Sequence, residues 1–360
     1  MGRDPTMAGS YPGTWWTDDD MASWAQPAFS LGDIRQAGKI FISKKATAAE
    51  RDAALVVINN WRSSHSFPLN STQLTLRSRV RRVSPVAIVA QRLKRLSAIE
   101  KKLRRHGKYV TLDEMQDIGG CRAITTSVKH VHDIVRQYKT PNRSMSQFVR
   151  EYDYIATPKS DGYRSYHLIY RYKAKWEDQV CYDGMVTEIQ LRSRLQHMWA
   201  TAVETVDFLT DQALKSNVGR AEWKRFFRVM GSYMALKENS PLVPGTPSTE
   251  QGIVSELAEL SDSLKPSLLL GTVAEMTGAR TGERHYLLQL DPVLKRVHVR
   301  GFKDLKAAAS AYEVAEQQAG LQAVLVRADD FADLKKAYPS YFLDSAAFVG
   351  VLEDAIAKAR

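Results

Sequence analysis

Three stretches of this chain gather the residue types that anionic substrates require. In QRLKRLSAIEKKLRR (91–105), Arg92 and Lys94 precede an expected helix, and Lys102 and Arg105, three apart, share one face of it. A helix N-terminus carries unpaired amide N–H groups and the positive end of the dipole, so four cations converging there suit a triphosphate. In MQDIGGCRAI (115–124), Asp117 stands at the mouth of a strand, where it could hold a divalent cation. Gly119 and Gly120 remove side chains just beyond it, as happens where a ligand approaches the backbone. Arg122 adds a planar guanidinium able to stack on a base. In TEIQLRS (187–193), Glu188, Gln190 and Arg192 recur every second residue and share one strand face. Buried without partners, such a row would be costly.

A fourth stretch, YDYIATPKSDGYRSYH (152–167), sets tyrosines, Lys159 and His167 around a Pro-Lys-Ser-Asp-Gly turn. A nucleotide, with a flat base and an anionic tail, answers that mixture of rings and charge. Tyr163 offers a stacking surface, worth roughly 1–3 kcal/mol per base in nucleic-acid sites. Magnesium binds through one or two carboxylates plus substrate phosphates, which Asp117 and Glu188 satisfy. Phosphoryl-type transfer is mostly positioning and charge stabilisation, so a basic pocket with such carboxylates is its expected apparatus. Each stretch alone also reads as an ordinary solvent-facing polar segment; together they point to a site. His130 and His132, an isolated pair on an expected helix, read as structural.

These residues need elements to carry them. The spacing predicts a helix over 49–62, and a second helical pattern in RRVSPVAIVAQRL (81–93) that breaks near KRLS. Ser97 with Glu100 three residues on predicts a capped helix start at Ser97. Strands follow over 118–125, 146–156, 163–174 and 185–193, with a helix over 128–138 between the first two. Long helical patterns cover 193–214 and 220–237, then a Pro/Gly/Ser-rich loop over 238–252 and a helix over about 253–264. The last segment reads as a small α/β unit: strands HYLLQL, RVHVRGF and LQAVLV with helices at 303–317 and 344–357. Residues 13–30 read as an irregular arm, and the leading MGRDPT, before a second Met7, reads as an appended sequence.

Composition narrows the class. The 360 residues carry 44% apolar and 25% charged side chains, as globular proteins do. No apolar run approaches a membrane span, and no secretory signal is visible. Two cysteines make neither a disulfide framework nor a zinc finger; Cys121 reads as a buried thiol, and a reducing, cytoplasmic setting is expected. The net charge of +11 is uneven: from Pro266 onward 12 basic and 12 acidic residues balance, whereas Arg77–Lys108 holds 12 Lys/Arg and one acid. Such a cluster attracts phosphates, although a solvated helix face also accounts for a basic run.

The four quoted stretches, in this order, resemble the successive motifs of RelA/SpoT-type synthetase domains, over about residues 48–235. The resemblance implies an α/β (α+β) fold with a mixed sheet flanked by helices. It also implies transfer of pyrophosphate from ATP to the 3′-hydroxyl of a nucleotide. Arg92 and Arg122 would sandwich the ATP adenine, while Lys94, Lys102 and Arg105 neutralise its phosphates. Asp117 and Glu188 would bind Mg2+, with Glu188 also taking the proton of the attacking hydroxyl. Lys159, Tyr163 and His167 would face the acceptor, and Gln190 and Arg192 complete the floor. Two positions depart from the family: Asp161 stands where Asn is common and Ala98 where Ser is common. The first bears on the acceptor. Fewer than fifty residues precede the region, so no metal-dependent hydrolase domain is expected upstream.

Relatives of this kind either pyrophosphorylate GDP or GTP as small alarmone synthetases, make adenosine-based alarmones, or are toxic enzymes that modify the 3′ CCA end of tRNA. NNWRSSHSFPLN (59–70) resembles the toxic branch, and the basic excess suits a large polyanion. The C-terminal segment, with KAYPSYFLDSAAF, resembles the regulatory domain of fused toxin–antitoxins of the CapRel type. That domain is a small zinc-finger-like fold without zinc ligands. The likeness implies that Tyr338 and Tyr341 restrain the synthetase and that a phage protein, typically capsid, releases it. The two tyrosines also read as capping residues of a small core. The implied organisation is an arm (1–47), a synthetase domain (48–237), a linker and helix (238–265) and a regulatory domain (266–360). A catalytically dead tRNA- or ribosome-binding module is the non-enzymatic alternative; the presence of both Asp117 and Glu188 argues against it.

Overall fold

The computed structural model describes residues 24–106, 109–139, 146–210, 219–270, 275–277, 283–291, 296–316, 322–327 and 345–359. Helix α1 (Leu31–Ile42) begins at a capping box in which the Ser30 side chain accepts from the Asp33 amide and Asp33 reaches back. Thr47 and Glu50 do the same for α2 (Ala48–Ser64). Residues 24–30 are irregular, as expected, and the helix that follows them, for which Ser30-x-x-Asp33 is the signal, has no counterpart in the sequence reading. Helix α3 (Ser66–Val83) ends where Ser84 turns extended before Pro85. A residue preceding proline is pushed out of the helical region, so the chain leaves α3 and enters strand β1 (Ile88–Leu93). The helical reading of 81–93 is corrected here: the β-branched Val86, Ile88 and Val89 belong to the approach and start of a strand.

Helix α4 (Leu96–His106) carries Lys102 and Arg105. Its first turn is closed by the Arg95 carbonyl, which accepts from Ala98 and Ile99. Ser97 is not the cap, because Glu100 is drawn to Arg104 one turn on, with N···O 2.7 Å. Then come β2 (Gly119–Thr125), α5 (Val128–Lys139), β3 (Ser146–Asp153), β4 (Tyr166–Tyr172) and β5 (Val186–Ser193). Helices α6 (Arg194–Thr210), α7 (Gly219–Lys237), α8 (Glu250–Leu264) and α9 (Pro266–Leu270) follow. The remaining elements are β6 (Glu275–Thr277), β7 (His285–Asp291), β8 (Arg296–Phe302), α10 (Leu305–Glu316), β9 (Gln322–Arg327) and α11 (Ala346–Ala357).

Among the described residues nine strands form one mixed sheet, in the order β3-β4-β5-β2-β1-β9-β7-β8-β6. Most pairs are antiparallel; β2–β5 and β6–β8 are parallel. The C-terminal strands thus continue the sheet through β9, where Gln91 pairs with Arg327 and Arg92 with Val326. Register decides what each face holds. Arg92 pairs with Gly120, Gly120 with Glu188, Arg122 with Gln190, and Gln190 with His167, so these residues share one face. The opposite face carries Cys121, Ala123, Leu168, Ile189 and Leu191, buried against Leu76 of α3 and Ile134 of α5. The Cys121 thiol is fully buried, which pushes its pKa up. Among the described residues, no helix is long and apolar enough to cross a membrane.

Candidate active site

The polar sheet face carries two linked clusters. In the first, Asp117 follows the loop that leads into β2 and accepts from the Lys94 ammonium at 2.6 Å and from Lys102 at 2.8 Å. Burial alone would raise the Asp117 carboxyl, but the two ammonium groups hold it far below the ordinary carboxylate range. Burial, together with neighbouring Arg92, lowers Lys94. The α4 residue Arg105 remains exposed, three residues beyond Lys102.

The second cluster is a closed hydrogen-bond circuit. Glu188 Oε1 lies 2.7 Å from His167 Nδ1, and His167 Nε2 lies 2.8 Å from the Tyr163 hydroxyl. Arg192 donates to that hydroxyl at 2.8 Å and to Gln190 Oε1 at 3.0 Å. Gln190 Nε2 returns to Glu188 Oε2 at 2.7 Å. The row itself, His167 of β4 and Tyr163 of the loop before it supply the partners that buried polar groups demand, while Arg192 Nε finds none among the described residues. Burial pushes the Glu188 carboxyl up, but the hydrogen bond and charge of His167 and the Gln190 amide together bring it below its ordinary value.

Tyr163 is aimed by its own loop. Gly162 has φ of 99°, and a Cβ there would stand 2.9 Å from the Phe227 carbonyl oxygen, so only glycine lets the loop press onto α7. The exposed Asp161 accepts from the Tyr163 amide at 2.9 Å, which gives it a turn-forming role. Lys159 Nζ lies 5.0 Å from the Tyr163 ring centre and 4.4 Å from that of Tyr154. Tyr154, not singled out from sequence, also meets His167 edge-on at 5.2 Å.

Arg92, Asp117, Gly120, Arg122, Glu188 and Gln190 together line one cleft of about 30 Å³. Ligand pockets usually offer roughly 300–1,000 Å³, so with Lys94 and Lys102 folded onto Asp117 this cleft is shut. Both carboxylates face it, and the Asp117 charge acts on Glu188 across it. Two carboxylates sharing a cleft fit a divalent cation whose other ligands are phosphate oxygens. Tyr338 and Tyr341 lie outside the described residues. His130 bonds Thr126 at 2.9 Å and His132 meets the Tyr166 ring, in keeping with structural roles.

Residues 91–207 match the family described as the region found in RelA / SpoT proteins. That segment is similar to the RelA/SpoT region. The GTP pyrophosphokinase YwaC of Bacillus subtilis is 33% identical over 122 residues, covering 33% of this chain and 56% of that protein. The GTP pyrophosphokinase YjbM of the same organism is 33% identical over 128 residues, 35% of this chain and 58% of that protein. The chain thus spans just over half the length of these curated relatives. Among solved structures, small alarmone synthetase 1 from Bacillus subtilis bound to its product pppGpp is 25% identical. That match covers 42% of this chain and 73% of the other, with a TM-score of 0.34. The matched segment begins at Gln91, so it contains the cations of β1 and α4, both carboxylates and the whole hydrogen-bond circuit.

Two residues outside the region were not visible as site residues in the sequence. Arg62 on α2 is buried and donates from Nε to the Lys94 carbonyl at 3.1 Å, and from Nη1 to Glu316 at 2.7 Å. Glu316, at the end of α10, accepts from the Leu96 amide at the start of α4. Arg62 stands in the buried row Ala54, Ile58, Trp61, where a charge requires a partner, but a sequence cannot say which one.

Proposed function

We propose that the RelA/SpoT region transfers the β,γ-pyrophosphate of ATP to a nucleotide 3′-hydroxyl. The observation that carries this reading is the shared face: Asp117 and Glu188 look into one cleft whose walls are Arg92 and Arg122. The 3′ oxygen forms a bond to the β-phosphorus, the bond from that phosphorus to the α–β bridging oxygen breaks, and AMP leaves with the electron pair. The hydroxyl proton passes to Glu188. Asp117 and Glu188 would hold Mg2+, which would supply charge neutralisation for the phosphates. Arg92 and Arg122 bracket the adenine. Lys94 and Lys102 exchange Asp117 for phosphate oxygens, and exposed Arg105 extends that row. His167 orients Glu188, while Tyr163 presents its ring to the acceptor base once Lys159 moves aside. Gln190 and Arg192 hold the floor.

The acceptor in this proposal is the 3′ CCA end of tRNA, supported by the concentration of positive charge before Pro266. A guanosine nucleotide is the second reading, favoured by the two GTP pyrophosphokinase relatives. Residues 266–360, proposed as a zinc-finger-like regulatory domain without zinc ligands, restrain the enzyme until a phage protein such as capsid binds. Incubation with ATP labelled in the β or γ phosphate, with total tRNA or GDP, tests the function. Label on tRNA, lost on trimming the CCA end and falling steeply with salt, is expected. Label on GDP alone moves the chain to the second reading, and label on neither overturns the proposal.

A further inference from the structure

A second cavity adjoins the sheet beside the catalytic cleft. About 510 Å³ in volume, it lies between α2, α3 and β1 on one side and α10, β7 and β9 on the other. That is the size of a small-ligand site, more than ten times the closed cleft. Its lining includes the opposite sheet face, because Gln91 pairs with Arg327 in the register that sends Arg92 to the catalytic side.

The chemistry of the lining is specific. Leu69, Leu93 and Leu325 give an apolar wall, and Tyr312 adds a ring. Gln91 lines the same space, is only 8% exposed, and its side-chain oxygen has no hydrogen-bond partner among the described residues. A buried acceptor of this kind asks for an N–H donor and is costly without one. Lys306 and Arg327 bring positive charge to the lining, against the single carboxylate of Glu313. An apolar slot, a buried acceptor without a partner and excess cations together describe a flat base bearing an amino group and an anionic tail.

We propose that this cavity binds a purine mononucleotide, its amino group on Gln91 Oε1 and its phosphate toward Lys306 and Arg327. Such a ligand touches the RelA/SpoT region and the C-terminal segment at once, and it would bind best when β9 is paired to β1. Arg92 lines both this cavity and the catalytic cleft, so the two adjoin at β1, but the proposed ligand contacts lie on other residues and do not depend on the proposed transfer reaction.

The test is photolabelling of the full chain with azido-AMP and azido-GMP, followed by peptide mapping. Saturable label on peptides from α10 or β9 is expected. Ser310→Trp places a large side chain on an exposed lining position of α10, and Lys306→Glu reverses an exposed charge. Each should cut that labelling at least tenfold while leaving label on catalytic-face peptides unchanged. Should Ser310→Trp fail to fold, the surface change at Lys306 decides alone. Label confined to catalytic-face peptides, label indifferent to both changes, or no saturable label at millimolar nucleotide would each overturn the site.

Discussion

The Glu316 carboxylate accepts a hydrogen bond from the Leu96 backbone amide at 3.0 Å, across 220 residues of sequence. An anionic side chain therefore occupies the N-terminus of the helix that carries Lys102, where amide groups and dipole favour negative charge. The same carboxylate pairs with Arg62, and the two side chains are 10% and 4% exposed. Removing one member of a buried pair leaves the other charge uncompensated, typically worth about 3–5 kcal/mol. Glu316→Gln keeps the shape and the contact to Leu96 but strands the Arg62 charge. We expect a lower thermal midpoint and faster hydrogen exchange in α10 and the first turn of α4. An unchanged midpoint would show that the pair contributes nothing net.

The sequence and the structure agree where spacing sets geometry. Glu188, Gln190 and Arg192, read as one strand face from their period of two, do share a face and hydrogen-bond along it. They diverge where a distant partner decides. Ser97 looked like a cap, but Glu100 found Arg104, and the free amide of Leu96 was met by Glu316. In the same way the join of β9 to β1 has no local signature, since an edge strand accepts any partner of suitable register. Pro85 is legible as a break: proline disfavours the helical region just before itself, so apolar spacing on its two sides does not make one helix.

Asp117 gives a pH prediction. Its folded-state carboxyl lies below its ordinary value, so it binds protons more weakly folded than unfolded. Its contribution to stability is present above the unfolded value, about 3.9, and is lost as pH falls toward the folded one. Asp117→Asn should therefore flatten the acid limb of the stability curve below about pH 4. At neutral pH the variant should be less stable, because Lys94, Lys102 and Arg92 then repel one another without a counter-charge. Pyrophosphate transfer should be lost in Asp117→Asn and in Glu188→Gln while both remain folded. Transfer at the unaltered rate by either variant would remove that carboxylate from the chemistry.

The circuit through His167 makes Glu188 a weaker base than burial would. His167→Ala removes the hydrogen bond and charge that lower the carboxyl and leaves the burial that raises it. The acid limb of the rate against pH should move to higher pH, with little change in KM for ATP. Tyr163→Phe separates ring from hydroxyl: it keeps the stacking surface but deprives both Arg192 and His167 of a partner. A fall in kcat with KM for the acceptor retained is expected, whereas Tyr163→Ala should fail with either acceptor. Identical kinetics for Phe and unaltered protein would confine Tyr163 to stacking.

The last prediction concerns Tyr338 and Tyr341. Strand β9 ends at Arg327, beside Val326 and its partner Arg92 on the face that carries the proposed ATP site. Tyr338 follows Arg327 by eleven residues, a chain length that reaches at most about 36–40 Å when extended. That length does not exclude contact with Arg92 and Arg122, which are proposed to bracket the adenine, and tyrosine stacks on guanidinium planes while offering a hydroxyl. Release requires a ligand that prefers the open form; a swing from about 1% to 99% open needs roughly 5.5 kcal/mol of differential affinity, which a protein-sized interface supplies. If the rings only close the site, alanine at both should make the chain toxic in cells without any trigger. We expect that outcome. A double variant that is silent and no longer triggered would place the tyrosines in trigger recognition instead. One that stays silent at rest and still responds would show that they serve only the core of their own segment.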